Sequence, residues 1–297
     1  MFAQQILNGL VVGSVYALFA LGFTLVFGVQ NILNLAHGAL FMVGAFVGLY
    51  AVTLVDLPLV VALLLSILAA GCIGVLLDFF AFRPLRKRRG GEFPAIMSSI
   101  GANLILISIA QQISQAQVSG FPFGTFPIVI YNFLGLRITL QQIAILCCVM
   151  LFTTVLLLII YRTSFGRQAR AVAVNERTAL LFGVNPSQVY ALTFFIAGGL
   201  AGAAGFIIGL AFNSVHFLMG EPLLLRGFVV VILGGMGSVV GSLVAGLTLG
   251  IIQTMSVFYF SSQISDIIIF SLLFLILLIR PTGFFKGLRQ DVRVGRN

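Results

Sequence analysis

The sequence predicts an all-α fold: a polytopic transmembrane helical bundle with eight to nine membrane segments, some of them broken at glycines. Three observations carry this. First, 60% of the 297 residues are hydrophobic and 8% are charged, whereas soluble domains carry about 25% charged residues to cover their surface. Second, the apolar residues form continuous runs near the length of about 20 residues that an α-helix needs to cross a bilayer. The strands of an outer-membrane barrel would be about half as long and would alternate. Third, the basic residues are segregated. Arg83–Arg89 holds five, Arg162–Arg177 four and Arg280–Arg296 five, leaving only Arg137 and Arg226 elsewhere.

The basic clusters set the orientation. Lys and Arg accumulate on the cytoplasmic side of membrane proteins, so all three clusters read as cytoplasmic. The net charge of +9 is thereby explained without a nucleic-acid partner, and the clusters would attract anionic lipid headgroups. The chain reads as one transmembrane domain over residues 1–297.

Taken in order, the spans run from Ile6 to Phe27, His37 to Val55 and Pro58 to Phe80, the last entering the first cluster. Pro94–Ile113 leads outward. Ser119–Leu136, with Gly120, Pro122, Gly124, Pro127 and Gly135, reads as an external loop with turns. Thr139–Tyr161 returns to the second cluster, and Ser187–Phe212 goes out again. Leu223–Phe260 is apolar but interrupted by Gly234, Gly235, Gly237 and Gly241, which predicts two short or tilted helices meeting at a glycine break. Ile264–Ile279 ends at Arg280-Pro281. This count puts the N-terminus outside and the C-terminus in the cytoplasm. Met1–Asn8 has no basic region before its apolar run, which speaks against a cleaved signal peptide.

Polar groups at membrane depth are costly and point to function. The most polar interruption of the early apolar region is Gln30–Gly38, with Asn31, Asn34 and His37 between two spans. It reads either as a surface connector with capping asparagines or as irregular backbone lining a path. Gly234 and Gly235 are weaker candidates for the same path. Asp56, Asp78 and Asp266 all fall near span ends, which argues against a proton- or cation-coupled transporter. Spacings such as Gly198–Gly202 and Gly241–Ala245 suit close helix packing in lipid.

The internal segment 162–187 is the most informative piece outside the spans. Asn175–Phe182 predicts a short helix stopped by Gly183, with Leu180, Leu181 and Phe182 as an apolar knob and Arg170, Glu176 and Arg177 beside it. It is either an amphipathic helix lying on the membrane or a docking element for a cytoplasmic partner. No Cys/His spacing suits a metal site. No GxxxxGK[ST], GxSxG or HExxH pattern occurs, so neither nucleotide hydrolysis by this chain nor another catalytic activity is expected.

In order along the chain stand Asn8–Leu10, Gly13–Ala45 (GSVYALFALGFTLVFGVQNILNLAHGALFMVGA), Ala81–Arg86 (AFRPLR), Gly166–Asn185 (GRQARAVAVNERTALLFGVN), Thr193–Gly205, Val229–Gly250 (VVVILGGMGSVVGSLVAGLTLG) and Arg280–Phe285 (RPTGFF). This ordered set resembles the permease subunits of bacterial branched-chain amino acid ABC importers, in particular the shorter of the two types usually paired. One departure is Ala39, where the family often carries an acid after the His-Gly pair.

The resemblance implies an assembly in the bacterial cytoplasmic (inner) membrane. Two permeases, this chain and a related one, would form the path; two ATP-binding subunits would sit on the cytoplasmic side; an external binding protein would deliver solute. The chain itself would need no cofactor, because ATP is bound by the partners. Alternating access would be driven through the short internal helix, with Arg170, Asn175, Glu176, Arg177, Leu180, Leu181 and Gly183 in the coupling segment, and Asn31, Asn34, His37, Gly234 and Gly235 near the path. Related permeases carry urea, short amides or aromatic acids, so these solutes remain open, as does, from another class, a stand-alone channel or secondary transporter.

Overall fold

The computed structural model describes residues 1–87, 92–127, 129–133, 135–280 and 283–285. Arg88 and Arg89 of the first basic cluster, and the basic tail from Lys286, lie outside the described residues. Twelve α-helices are described: α1 (Phe2–Gln30), α2 (His37–Thr53), α3 (Leu59–Leu77), α4 (Arg83–Lys87), α5 (Glu92–Ile113), α6 (Leu140–Arg162), α7 (Ser164–Val174), α8 (Glu176–Leu181), α9 (Pro186–Phe212), α10 (Gly220–Gly234), α11 (Val239–Tyr259) and α12 (Ser262–Ile279). A π-helical turn, Asp78–Phe82, joins α3 to α4. The protein is thus a polytopic α-helical membrane protein. Among the described residues seven helices are long and apolar enough to cross a bilayer, and α2, at 17 residues, is a shorter apolar helix. α10 is shorter still, at 15 residues.

The segment expected as an external loop with turns runs into a hairpin, β1 (Ile130–Phe133) paired antiparallel with β2 (Leu136–Thr139). The β-branched and aromatic residues Ile130, Tyr131 and Ile138 favour it. Thr139 then starts α6 with a capping box, its side chain accepting the Gln142 N–H and its own N–H donating to Gln142.

Two arrangements recur. α1 packs most heavily on α11, and α3 on α9. Glycine makes such contacts possible in lipid, where helices gain by close backbone approach rather than by hydrophobic exclusion. A Cβ on Gly13 would stand 2.7 Å from the Gly246 carbonyl oxygen, and one on Gly198 2.5 Å from that of Ala70. Thr24 and Ser242 add a buried hydroxyl–hydroxyl bond of 2.5 Å to the first seam.

The second recurrence is a connector followed by a short helix. α1 ends at Asn31, in the left-handed region at φ 55°, its N–H bonded to the Phe27 carbonyl. α9 ends the same way at Asn213, φ 47°, bonded to Gly209. Asparagine tolerates this conformation better than most residues. Residues 31–36 and 213–219 follow without helix. Each closes with a turn, the His37 N–H to the Asn34 carbonyl at 3.2 Å and the Met219 N–H to the His216 carbonyl at 3.1 Å. Each then opens a short helix whose N-cap, Ala36 or Met219, makes no side-chain cap.

The two units run in opposite senses. Arg86 donates to Gln30 at the end of α1 and lies 4.5 Å over the ring of Tyr190 near the start of α9, so these two ends coincide. α2 runs alongside α9, with Gly205 against Phe41 and Gly209 against Ala45, while α10 runs alongside α1, with Gly227 against Phe19 and Phe228 against Phe23. The helix pairs α1/α11 and α9/α3 exchange under the same operation. The chain is therefore an inverted repeat of α1–α2–α3 and α9–α10–α11, an architecture that places two half-length helices in the bundle interior.

Their depth follows from α1. Its middle residue is Tyr16, and the His37 ring lies 3.2 Å from the carbonyl of Phe19, three residues and about 4.5 Å of helix rise away. From Gln30 to Phe19 the rise is about 16 Å, a distance six extended residues can cover. Residues 31–36 thus re-enter the bundle, and α2 begins near its middle. Gly38 and Gly220 touch: a Cβ on Gly38 would stand 2.8 Å from the Gly220 carbonyl oxygen. α10 therefore begins at the same depth.

Candidate functional site

The helices α7 and α8 end in an exposed apolar turn. Thr163 caps α7 by accepting the Gly166 N–H, and Gly166 packs directly on the last turn of α6. Arg170 turns inward: it donates to the Ile160 carbonyl and lies 5.6 Å over the Tyr161 ring, fixing α7 to α6. Asn175 caps α8, accepting the Thr178 N–H at 3.1 Å. Gly183, at φ 78°, ends it, while the Val184 N–H returns to the Ala179 carbonyl. Ala179 is the buried anchor. Leu181 and Phe182 are 87% and 83% exposed, and Leu180 is exposed beside them. Three large apolar side chains held outward by a capped turn form a knob rather than a packing face.

Behind the knob, a polar cleft of about 440 Å³ separates residues 172–177 from the end of α1, from Gly28 to Asn31. Asn175, Glu176 and Arg177 stand on one wall and Asn31 on the other.

The residues singled out between α1 and α2 divide. Asn31 is exposed at the cleft. Asn34 is 2% exposed, its side-chain oxygen accepting the Ala36 N–H at 3.1 Å. His37 is fully buried, edge-on to the rings of Phe19 and Phe23 at 4.7 and 5.7 Å. Because a carbonyl only accepts, the 3.2 Å contact to Phe19 fixes the proton on Nε2. The other ring nitrogen, and the Asn34 amide nitrogen, have no hydrogen-bond partner among the described residues.

Gly234 and Gly235 form the break between α10 and α11. Gly235 sits at φ 96°, and the Phe284 and Phe285 N–H groups donate to the carbonyls of Leu233 and Gly234 at 3.1 and 3.2 Å. The segment after α12 is thus stapled onto the glycine break, a long-range contact no local pattern announces.

Sequence reasoning missed a polar group that joins α10, α12 and α1. Arg226 of α10 donates to Asp266 at 3.1 Å and to the Tyr16 hydroxyl at 3.2 Å. Asp266 is the fifth residue of α12, near a span end as the sequence sets it, and Ser265 beside it bonds the Gln253 carbonyl in the last third of α11. The available signal was Arg226 itself, an isolated cation in an apolar run that requires a partner. No cluster of three His, Cys, Asp or Glu that could hold a metal occurs among the described residues.

Residues 5–277 match the family described as branched-chain amino acid transport system / permease component. The chain is 33% identical over 293 residues, 95% of each chain, to the high-affinity branched-chain amino acid transport system permease protein BraD of Pseudomonas aeruginosa. It is 31% identical over 295 residues, 95% of this chain and 94% of the relative, to the corresponding permease protein LivH of Escherichia coli K12. A shorter stretch of 102 residues, 32% of each chain, is 31% identical to the ribose import permease protein RbsC of Bacillus subtilis. No solved structure matches.

Proposed function

This chain belongs to the family of branched-chain amino acid transport system permease components, and on that premise we propose that it is the membrane-spanning subunit of an ATP-driven importer of branched-chain or related amino acids. With a second, related permease it forms the path; ATP-binding subunits dock from the cytoplasm and an extracytoplasmic binding protein delivers solute. The single observation that carries this reading is the outward-facing knob of Leu180, Leu181 and Phe182, set across a polar cleft from the end of α1. A groove on an ATP-binding subunit would take the knob, and segment 162–187 would act as the coupling element. Arg170 and Gly183 fix its shape, and Asn175, Glu176 and Arg177 flank the cleft.

Closure of the ATP-binding subunits then moves α8, and α8 moves the connector 31–36. Asn31 faces the cytoplasmic mouth of the path, while Asn34 and His37 hold the re-entrant backbone from within. Gly234 and Gly235 allow α10 to pivot against α11. Counting α2 and α10 with the seven long helices gives nine membrane segments, with the N-terminus outside and the C-terminus in the cytoplasm of a bacterial inner membrane. All of residues 1–297 serve one permease domain.

The test is reconstitution in vesicles with the co-purified subunits. Leucine uptake should require ATP and the binding protein, and Leu181→Asp with Phe182→Asp should abolish it by releasing the ATP-binding subunits. Competition with urea, short amides and aromatic acids identifies the cargo. Uptake by this chain alone, without ATP, would establish a channel or secondary transporter instead.

A further inference from the structure

We propose that Glu221 receives the ammonium group of the transported amino acid where the two half-length helices meet. The inference rests on the importer reading above and adds the residue that recognises the solute's amine.

The placement comes from the backbone. Glu221 is the second residue of α10, and the residue before it, Gly220, touches Gly38 near the middle of the bundle. Glu221 is nevertheless exposed on the subunit surface, and it has no ion pair among the described residues. An acid in the first turn of a helix gains from the helix dipole, but it gains as much at an aqueous surface. A carboxylate at membrane depth that faced lipid would cost several kcal/mol. The face that carries it is therefore a face that meets water.

The neighbouring surfaces point the same way. The exposed large apolar residues include Val60, Leu64, Leu68 and Leu76 on α3 and Met150, Leu151 and Leu158 on α6, which suits lipid contact. Glu221 and Asn103 stand instead in the wall of a small cavity of about 10 Å³ at the Gly38–Gly220 contact, its other walls the apolar Met42, Ile107, Phe217 and Leu224, with room for about one water. These two are the polar side chains among the residues lining this cavity, and a carboxylate at the pivot of an inverted repeat suits a primary ammonium, which brings three donors and needs only acceptors. In this conformation the cavity is closed down. Separation of Gly38 from Gly220 opens it, so binding of the amine is coupled to the rocking of the two repeats.

Alternating access on its own requires no carboxylate here, and Ala39 occupies the equivalent place in the first repeat, directly after Gly38. Among the described residues lining this cavity, the second repeat thus supplies the one acid.

The experiment uses the complete importer in vesicles, with labelled leucine as probe. Glu221→Gln should lower uptake roughly 10- to 100-fold, the worth of a charge-assisted hydrogen bond, at unchanged yield of assembled complex, and Glu221→Asp should retain more uptake than Glu221→Gln. In a chain whose Cys72, Cys147 and Cys148 are replaced by alanine, Glu221→Cys should react with a water-soluble thiosulfonate, more slowly when leucine is present, while Leu68→Cys should not react. Uptake by Glu221→Gln within twofold of the parent, or a Glu221→Cys thiol as inert as that of Leu68→Cys, overturns the assignment of Glu221 and leaves the importer reading standing. A parent complex that takes up no amino acid overturns the cargo, and the amine site with it.

Discussion

In Asn31–Thr53 the half-length helix buries the residues that open it, His37 and Ala39, whereas in Asn213–Gly234 the corresponding turn exposes Glu221. The backbones are built alike: a left-handed asparagine, a connector of six or seven residues, a closing turn and an uncapped start. The difference lies in what each unit does with polarity. The first buries its polar side chains and uses one polar atom of each internally, His37 on Phe19 and Asn34 on Ala36, with His37 Nδ1 and Asn34 Nδ2 unpaired among the described residues. The second turns a carboxylate outward and engages Arg226 with Asp266 and Tyr16. The repeat thus fixes a backbone scaffold twice, and one copy holds the junction while the other furnishes it chemically.

The largest effect on this comparison should come from Gly38→Val or Gly220→Val. Either places branched carbon against the backbone of the other repeat, and rigid backbone cannot yield as a side chain can. A loss of about 3 kcal/mol, the upper end for overpacking, is expected, read as a collapse in the yield of monodisperse protein in detergent. Equal tolerance of both substitutions would break the claim that the half-helices meet there. A smaller loss is expected at the polar group of the second unit. Asp266→Leu leaves Arg226 with Tyr16 alone and should cost about 1–3 kcal/mol; the double change Arg226→Leu with Asp266→Leu should recover part of it, because no charge is then unpaired. Thermal unfolding in detergent distinguishes the two variants.

The first unit is sharpened by His37. His37→Gln retains a donor for the Phe19 carbonyl, while His37→Ala loses that donor and leaves a cavity among Phe19 and Phe23. The difference between them should be about 2 kcal/mol; indistinguishable melting temperatures would refute a positioning role. The smallest effect belongs to Asn213, whose side-chain oxygen accepts the Phe121 N–H at 2.6 Å. Asn213→Gly should cost about 1 kcal/mol for that bond, and Asn213→Ala about 1 kcal/mol more for an alanine in the left-handed region.

Much of this chain was legible in its sequence because the bilayer imposes a one-dimensional rule. The long spans, the basic clusters around Arg83–Arg86 and Arg162–Arg177, the glycine break at Gly234–Gly235 and the short helix before Gly183 all follow from composition read along the chain. Each depends on local propensity or on hydrophobic length, and neither needs a distant partner. Depth and facing do need one. That residues 31–36 run back into the bundle, that α10 starts beside Gly38, that Asp266 meets Arg226, and that Phe284 and Phe285 close on the glycine break are contacts between residues 18 or more apart in the chain. The sequence by itself determined which residues could enter the membrane. The packing of two inverted repeats decided how deep each polar residue lies and which way it faces, because in lipid the cost of a charge is set by its surroundings in three dimensions and not by its neighbours in the chain.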